Sequence, residues 1–204
     1  MYVLGLTGSM GMGKSTTAVM FRQHNIPVYD ADDMVHQLYQ TSAIRPVQEI
    51  LPHVIENSQI NRDKLKQHLA EHPGDLQKIE AIIHPLVRKA QLNWMNIQAM
   101  KAERLVVLDI PLLFETGGEK LCDAVIVVTT DEKTQIKRIM QRRKMTLSEV
   151  DILLSRQMSD AEKRAKADYI IDTSISLEDA ASQVIDLLKK SADFVPSNRW
   201  KEAV

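Results

Sequence analysis

Cysteine is almost absent: Cys122 is the only one in 204 residues. That excludes an intramolecular disulfide framework and a cysteine-based zinc site, and a lone buried thiol in a reducing compartment is expected. No run of about 18 apolar residues occurs, so a membrane-spanning helix is not expected. The apolar start Met1–Thr7 meets glycine-rich sequence too soon for a signal peptide, and a soluble cytoplasmic protein without a membrane partner is the expectation. Charge of one sign is also lacking, with a net charge of −1, so no whole-molecule field draws in nucleic acid. The one basic segment has no interleaved aromatics to stack bases, and no nucleic-acid partner is expected. An Asn-Lys-x-Asp segment for reading guanine is missing, which disfavours a GTPase switch. Aromatics are scarce at 4%, yet the hydrophobic 44% and charged 26% are those of a globular chain. The length suits one compact domain with an inserted subdomain, as a monomer or weak homo-oligomer.

What is present is an alternation of short apolar runs with longer amphipathic stretches, the pattern of parallel strands joined by crossover helices. Strands are expected at Tyr2–Thr7, Pro27–Asp30, Leu105–Asp109, Ala124–Thr129 and Tyr169–Asp172, without strict alternation because parallel strands are buried on both faces. Helices fit Lys14–His24, Asp131–Arg143, Leu147–Met158 and Leu177–Lys190, and Thr146–Glu149 has capping-box spacing. The reading is an α/β protein of the P-loop NTPase fold, with a five-stranded parallel sheet. Its nucleotide-binding core would be 1–30, 104–138 and 159–191. Residues 31–103 show helical periodicity broken at Pro46, Pro52, Pro73-Gly74 and Pro85 and no convincing strand, so they read as a helical insertion. Residues 139–158 read as a lid and 192–204 as a loosely attached tail.

Gly8-Ser9-Met10-Gly11-Met12-Gly13-Lys14-Ser15 satisfies G-x-x-x-x-G-K-[ST] between an apolar strand and an amphipathic helix. Glycines let backbone amides curl around phosphate oxygens, and the helix aims its positive dipole end at the same anion. Lys14 is expected on the β- and γ-phosphates and Ser15 on Mg²⁺, with Thr16 completing the binding segment. The motif establishes nucleoside triphosphate binding, and leaves the fate of the phosphate open.

Tyr29-Asp30-Ala31-Asp32-Asp33 ends the second strand, at the sheet edge where ligands bind in open α/β folds. An ionised Asp there can take a hydroxyl proton during phosphoryl transfer, with helix capping by Asp30 or Asp32 as the other reading, and the two roles need not exclude each other. Asp109 ends a buried strand as a Walker B acid would, orienting Mg²⁺, or caps a turn. Lys137, Arg138, Arg142, Arg143 and Lys144 form a cationic run before a helix break, which fits a lid that offsets charge on the transferred phosphoryl, or a solvated face. His84-Pro85 is expected to stop a helix, with Arg88 one turn on, and His84 is a candidate substrate contact.

Gly5-Leu6-Thr7-Gly8 with the phosphate loop, Asp30-Ala31-Asp32, His84-Pro85, Asp109–Glu115 and Ala167–Asp172 together resemble the dephospho-CoA kinase family over roughly residues 2–190. The resemblance implies transfer of the γ-phosphoryl of ATP to the ribose 3′-hydroxyl of dephospho-CoA, the last step of coenzyme A synthesis. It implies Asp32 as the base, Arg142 as a lid arginine on the ATP phosphates, and the insertion as a CoA-binding domain. His84, Arg88, Leu113 and Glu115 would then lie near the acceptor. Asn25 and Ile175 stand where the family usually has glycine, and Arg143-Lys144 where it has Asp-Gly. A nucleoside or nucleotide kinase of the same fold is the alternative, and a nucleotide-dependent switch a more distant one.

Overall fold

The structure, a computed structural model, describes residues 1–143, 150, 154–155 and 157–203. Its elements run β1 (Tyr2–Thr7), α1 (Lys14–Gln23), β2 (Val28–Asp30), α2 (Ala31–Tyr39), α3 (Ile44–Ile50), β3 (Ile55–Glu56), β4 (Gln59–Ile60), α4 (Arg62–Glu71) and α5 (Leu76–Met100). Then follow β5 (Leu105–Asp109), β6 (Ala124–Thr129), α6 (Glu132–Arg143), α7 (Asp160–Ala165), β7 (Tyr169–Asp172) and α8 (Leu177–Lys190). The chain forms two compact units, Met1–Tyr29 with Gln98–Val204, and Asp30–Ile97.

In the first unit five strands make one parallel sheet in the order β2-β5-β1-β6-β7. β1 is central, pairing Leu6 with Asp109 of β5 and Thr7 with Val127 of β6. Both faces of the central strands are buried, which is why their sequences are unbroken apolar runs rather than alternating ones. Leu4, Leu6, Val107, Ile126 and Val128 share one core with Ala18 and Phe21 of α1 and Ala180, Val184 and Leu187 of α8. Two aspartates pin the register. Asp123, just before β6, accepts from Val3 N of β1 at 2.7 Å, and Asp168, just before β7, accepts from Val125 N of β6 at 2.8 Å. The expected helix 147–158 and the capping box at 146–149 lie largely outside the described residues.

The described part of the segment expected to be a loose tail, 192–203, is anchored. The Phe194 ring lies 4.5 Å from that of Tyr2 and 5.9 Å from that of Tyr169, Ser197 N donates to Asp123 at 2.6 Å, and Trp200 is 2% exposed. Polar spacing hid two large apolar anchors, Phe194 and Trp200.

The second unit has its own core of Leu38, Val47, Leu51, Val54, Ile60, Leu65, Ile79 and Ile83. Three expectations fail in it. A short antiparallel hairpin, β3 with β4, occurs where no strand was expected, turning on Asn57 (φ 49) and Ser58 (φ 58). Asn-Ser is a weaker signature of such a left-handed turn than Asn-Gly. Pro85 does not stop its helix: α5 runs from Leu76 to Met100 with Pro85 inside. The lost amide and the ring clash cost a helix about 3 kcal/mol, and the burial of Ile79, Ile83 and their neighbours Ile82, Leu86 and Val87 on both sides of the proline carries the helix through. Pro46, likewise, sits in the first turn of α3 rather than breaking a helix.

Candidate active site

The phosphate loop leaves the carboxyl end of β1 and enters α1. Gly11 (φ 83) and Gly13 (φ 99) are both left-handed, a conformation side chains resist. A Cβ at Gly13 would also stand 3.0 Å from Thr173 Oγ1, and one at Gly11 2.8 Å from Ile139. Gly13 is the N-cap of α1 and no side chain among the described residues caps the helix, so the orphan amides of its first turn are available to an anion.

Around this loop the chain builds a clamp that sequence reasoning missed. Gln135 Nε2 of α6 donates to Met10 O at 2.8 Å, and Met10 N donates to Gln157 Oε1 at 3.3 Å. Thr173 Oγ1, just past β7, donates to Met12 O at 2.8 Å and accepts from Arg138 Nη1 at 2.8 Å. Arg138 also donates through Nη2 to Thr173 O at 2.9 Å and through Nη1 to Gly11 O at 3.4 Å. Arg138, grouped by sequence with the lid cations, is thus bound to the loop's backbone. Arg142 lies in the last turn of α6, and its side chain and Lys144 fall outside the described residues.

Lys14 Nζ, at the loop's mouth, is bonded to Asp109 Oδ1 at the carboxyl end of β5, with Asp109 2% exposed. The acid at the end of the apolar strand therefore meets the loop lysine. Ser15 is exposed on the first turn of α1. Leu113 is fully buried and lies against Gly5, so its side chain is core. Glu115 pairs with the fully buried Lys163 at 3.1 Å and accepts from Met158 N at 3.0 Å. Burial pushes the Glu115 carboxyl up, but the amides of Glu115 and Met158 and the Lys163 ammonium outweigh it and hold it below its usual range. Lys163 also donates to Pro111 O at 3.2 Å, and Thr7 Oγ1 to the same carbonyl at 2.9 Å. Leu113, Glu115 and Lys163 thus shape loop 110–117 from within.

In the second unit, Asp30 Oδ1 accepts from the amides of Asp32 and Asp33 at 3.1 Å, so Asp30 is the N-cap of α2. This assigns the capping role to Asp30 and leaves the exposed Asp32 carboxylate outside the cap. His84 and Arg88 lie one turn apart on α5 and are both exposed.

A parallel sheet with this loop at the end of its central strand, a lysine–aspartate pair at the loop's mouth and a clamped loop backbone define a P-loop nucleotide-binding protein. The dephospho-CoA kinase family model matches residues 2–179. A dephospho-CoA kinase of Rhodopseudomonas palustris strain HaA2 is 42% identical over 192 residues, covering 94% of this chain and 96% of its own. The crystal structure of TT1252 from Thermus thermophilus superposes with a TM-score of 0.79 at 28% identity, covering 93% of this chain and 97% of that one. Dephospho-CoA kinase from Campylobacter jejuni gives 0.68 at 25% identity, with 93% and 96% covered. The chain belongs to the dephospho-CoA kinase family, and it is a kinase. Among the described residues no helix is long and apolar enough to cross a membrane.

Proposed function

We propose that this chain makes coenzyme A by phosphorylating the 3′-hydroxyl of dephospho-CoA with ATP, with Asp32 as the base and Lys14 and Arg142 on the phosphates. The observation that carries the reading is family membership across nearly the whole chain together with the clamped phosphate loop. The acceptor 3′-oxygen bonds to the γ-phosphorus, the bond from that phosphorus to the β,γ-bridging oxygen breaks, ADP leaves, and the hydroxyl proton passes to Asp32. Lys14 and the amides of Gly8–Thr16 hold the phosphates, and Arg142 offsets charge developing on the transferred group. His84 and Arg88, within the CoA-binding insertion 31–103, contact the acceptor.

Ser15 and Asp109 supply a hydroxyl and a carboxylate, the hard oxygen donors that suit Mg²⁺. Ser15 and Asp109 would hold the ion, which would supply neutralisation of the phosphate charge. The protein is expected to act in the cytoplasm on a small-molecule acceptor.

The test is ADP release with dephospho-CoA, adenosine and other nucleosides offered in parallel, for wild type and Asp32→Asn. Turnover specific to dephospho-CoA and reduced about 10²-fold or more in the variant is expected. Turnover with a nucleoside alone would move the protein to a nucleoside kinase, and an unaltered variant would remove Asp32 from the chemistry.

A further inference from the structure

Gln157 stands two residues ahead of the capping box in which Ser159 and Glu162 start α7. Its side chain is half-buried rather than solvated, and the phosphate loop is what fixes it. Met10 N donates to Gln157 Oε1 at 3.3 Å. A backbone amide can only donate, so this bond decides which end of the carboxamide faces Met10. The oxygen is engaged there, and Nε2, with two N–H donors, has no hydrogen-bond partner among the described residues.

The backbone around Gln157 is held as well. Gln157 N donates to Leu154 O at 3.0 Å, and Met158 N to Glu115 Oε1 at 3.0 Å. The fully buried Lys163 fixes Glu115 in turn, at 3.1 Å. Asp160, three residues on, accepts from Thr129 Oγ1 at the end of β6 at 2.9 Å. Residues 157 and 158 therefore tie together two loops at the carboxyl edge of the sheet, the phosphate loop after β1 and loop 110–117 after β5. The Lys14–Asp109 pair joins the roots of the same two loops, and a lysine in that position reaches the β- and γ-phosphates. The first-turn amides of α1 take the inner phosphates, which leaves the unpartnered donor on the side of the terminal one.

We infer that Gln157 is a further nucleotide-contact residue, whose Nε2 donates to a γ-phosphate oxygen of ATP while Met10 N holds Oε1. This rests on the reading that the nucleotide is ATP. Met10 N then acts on the phosphates through the carboxamide and not directly. A donor aimed in advance loses little freedom when the phosphate arrives, and a hydrogen bond to a charged oxygen is stronger than one between neutral groups. ADP lacks the γ-phosphate, so the same contact lets the site tell substrate nucleotide from product.

A glutamine that merely braced the loop would need its oxygen alone, and Gln157→Glu separates the two roles. The carboxylate keeps an acceptor for Met10 N and puts negative charge where the two donors were. Titration calorimetry of the full chain with Mg²⁺ and either AMP-PNP, which has a terminal phosphate, or ADP reads the difference. Gln157→Ala is measured alongside, and urea denaturation controls for folding. The expected affinity for AMP-PNP is about tenfold lower in Gln157→Ala and lower still in Gln157→Glu, with ADP affinity in Gln157→Glu within about twofold of wild type. Gln157→Glu binding AMP-PNP as tightly as wild type, or more tightly than Gln157→Ala, overturns the contact and leaves a brace. Equal weakening of AMP-PNP and ADP in Gln157→Glu overturns it too. Wild-type protein that binds neither nucleotide overturns instead the ATP reading beneath it, before any variant is compared.

Discussion

Asn25 has φ 58 immediately after α1. Its amide donates to Arg22 O at 3.0 Å and that of Ile26 to Phe21 O at 3.1 Å, the paired bonds that close a helix through a left-handed residue. The family resemblance had put this loop in question, since glycine is usual at the position. Asparagine tolerates the left-handed region better than other side chains, so the conformation survives the exchange. Asn25→Gly is expected to leave stability nearly unchanged, and Asn25→Val to cost about 1–2 kcal/mol, because a β-branched side chain clashes there. Urea denaturation checks both, and a Val variant as stable as wild type would mean that the backbone relaxes without strain. The same scale shows why Lys163 escaped notice in the sequence. A lysine in a stretch as charged as Asp160–Ala165 reads as solvated surface, and only the chain's return past Glu115 and Pro111 makes it a buried cation with a carboxylate and a carbonyl to satisfy it.

At the scale of elements, strands were more legible than helices. Four of the five sheet strands have the expected bounds and β2 starts one residue late, because apolar runs buried on both faces leave few alternatives. Helix ends depend on what the helix packs against, and for α5 burial overrode proline. The phosphate loop was readable as a motif, but the clamp behind it joins α6 and the end of β7, elements far apart in sequence. Thr173 is the hub, buried, donating to the loop and accepting from Arg138. Thr173→Val keeps the shape and removes the hydroxyl, leaving Met12 O and one guanidinium proton without this partner. Such losses cost roughly 1–2 kcal/mol. A clamp that sets the loop's shape passes this on to nucleotide binding, so the KM for ATP is expected to rise about tenfold while that for dephospho-CoA holds, with Thr173→Ser restoring most of it. If valine leaves the KM for ATP unchanged, the hydroxyl supports only the fold.

Across the whole molecule, the family match ends at residue 179, while the described chain continues through α8 to residue 203. That extension secures the amino-terminal end of the sheet, the edge opposite the phosphate loop. Asp123 links the two, accepting from Val3 N of the first strand and from Ser197 N of the last segment. Trp200 is the largest fully buried side chain of the described residues. Truncating such a side chain to alanine typically costs about 3–5 kcal/mol in lost transfer energy and cavity. The buried indole Nε1 has no hydrogen-bond partner among the described residues, so part of its burial already carries a desolvation penalty that truncation relieves. Trp200→Ala is therefore expected near the low end, about 3 kcal/mol by urea denaturation, with the KM for both substrates preserved. Loss of ATP affinity without loss of stability would instead tie the terminal segment to the phosphate loop across the sheet, and an unaltered denaturation midpoint would mean that the segment detaches without cost.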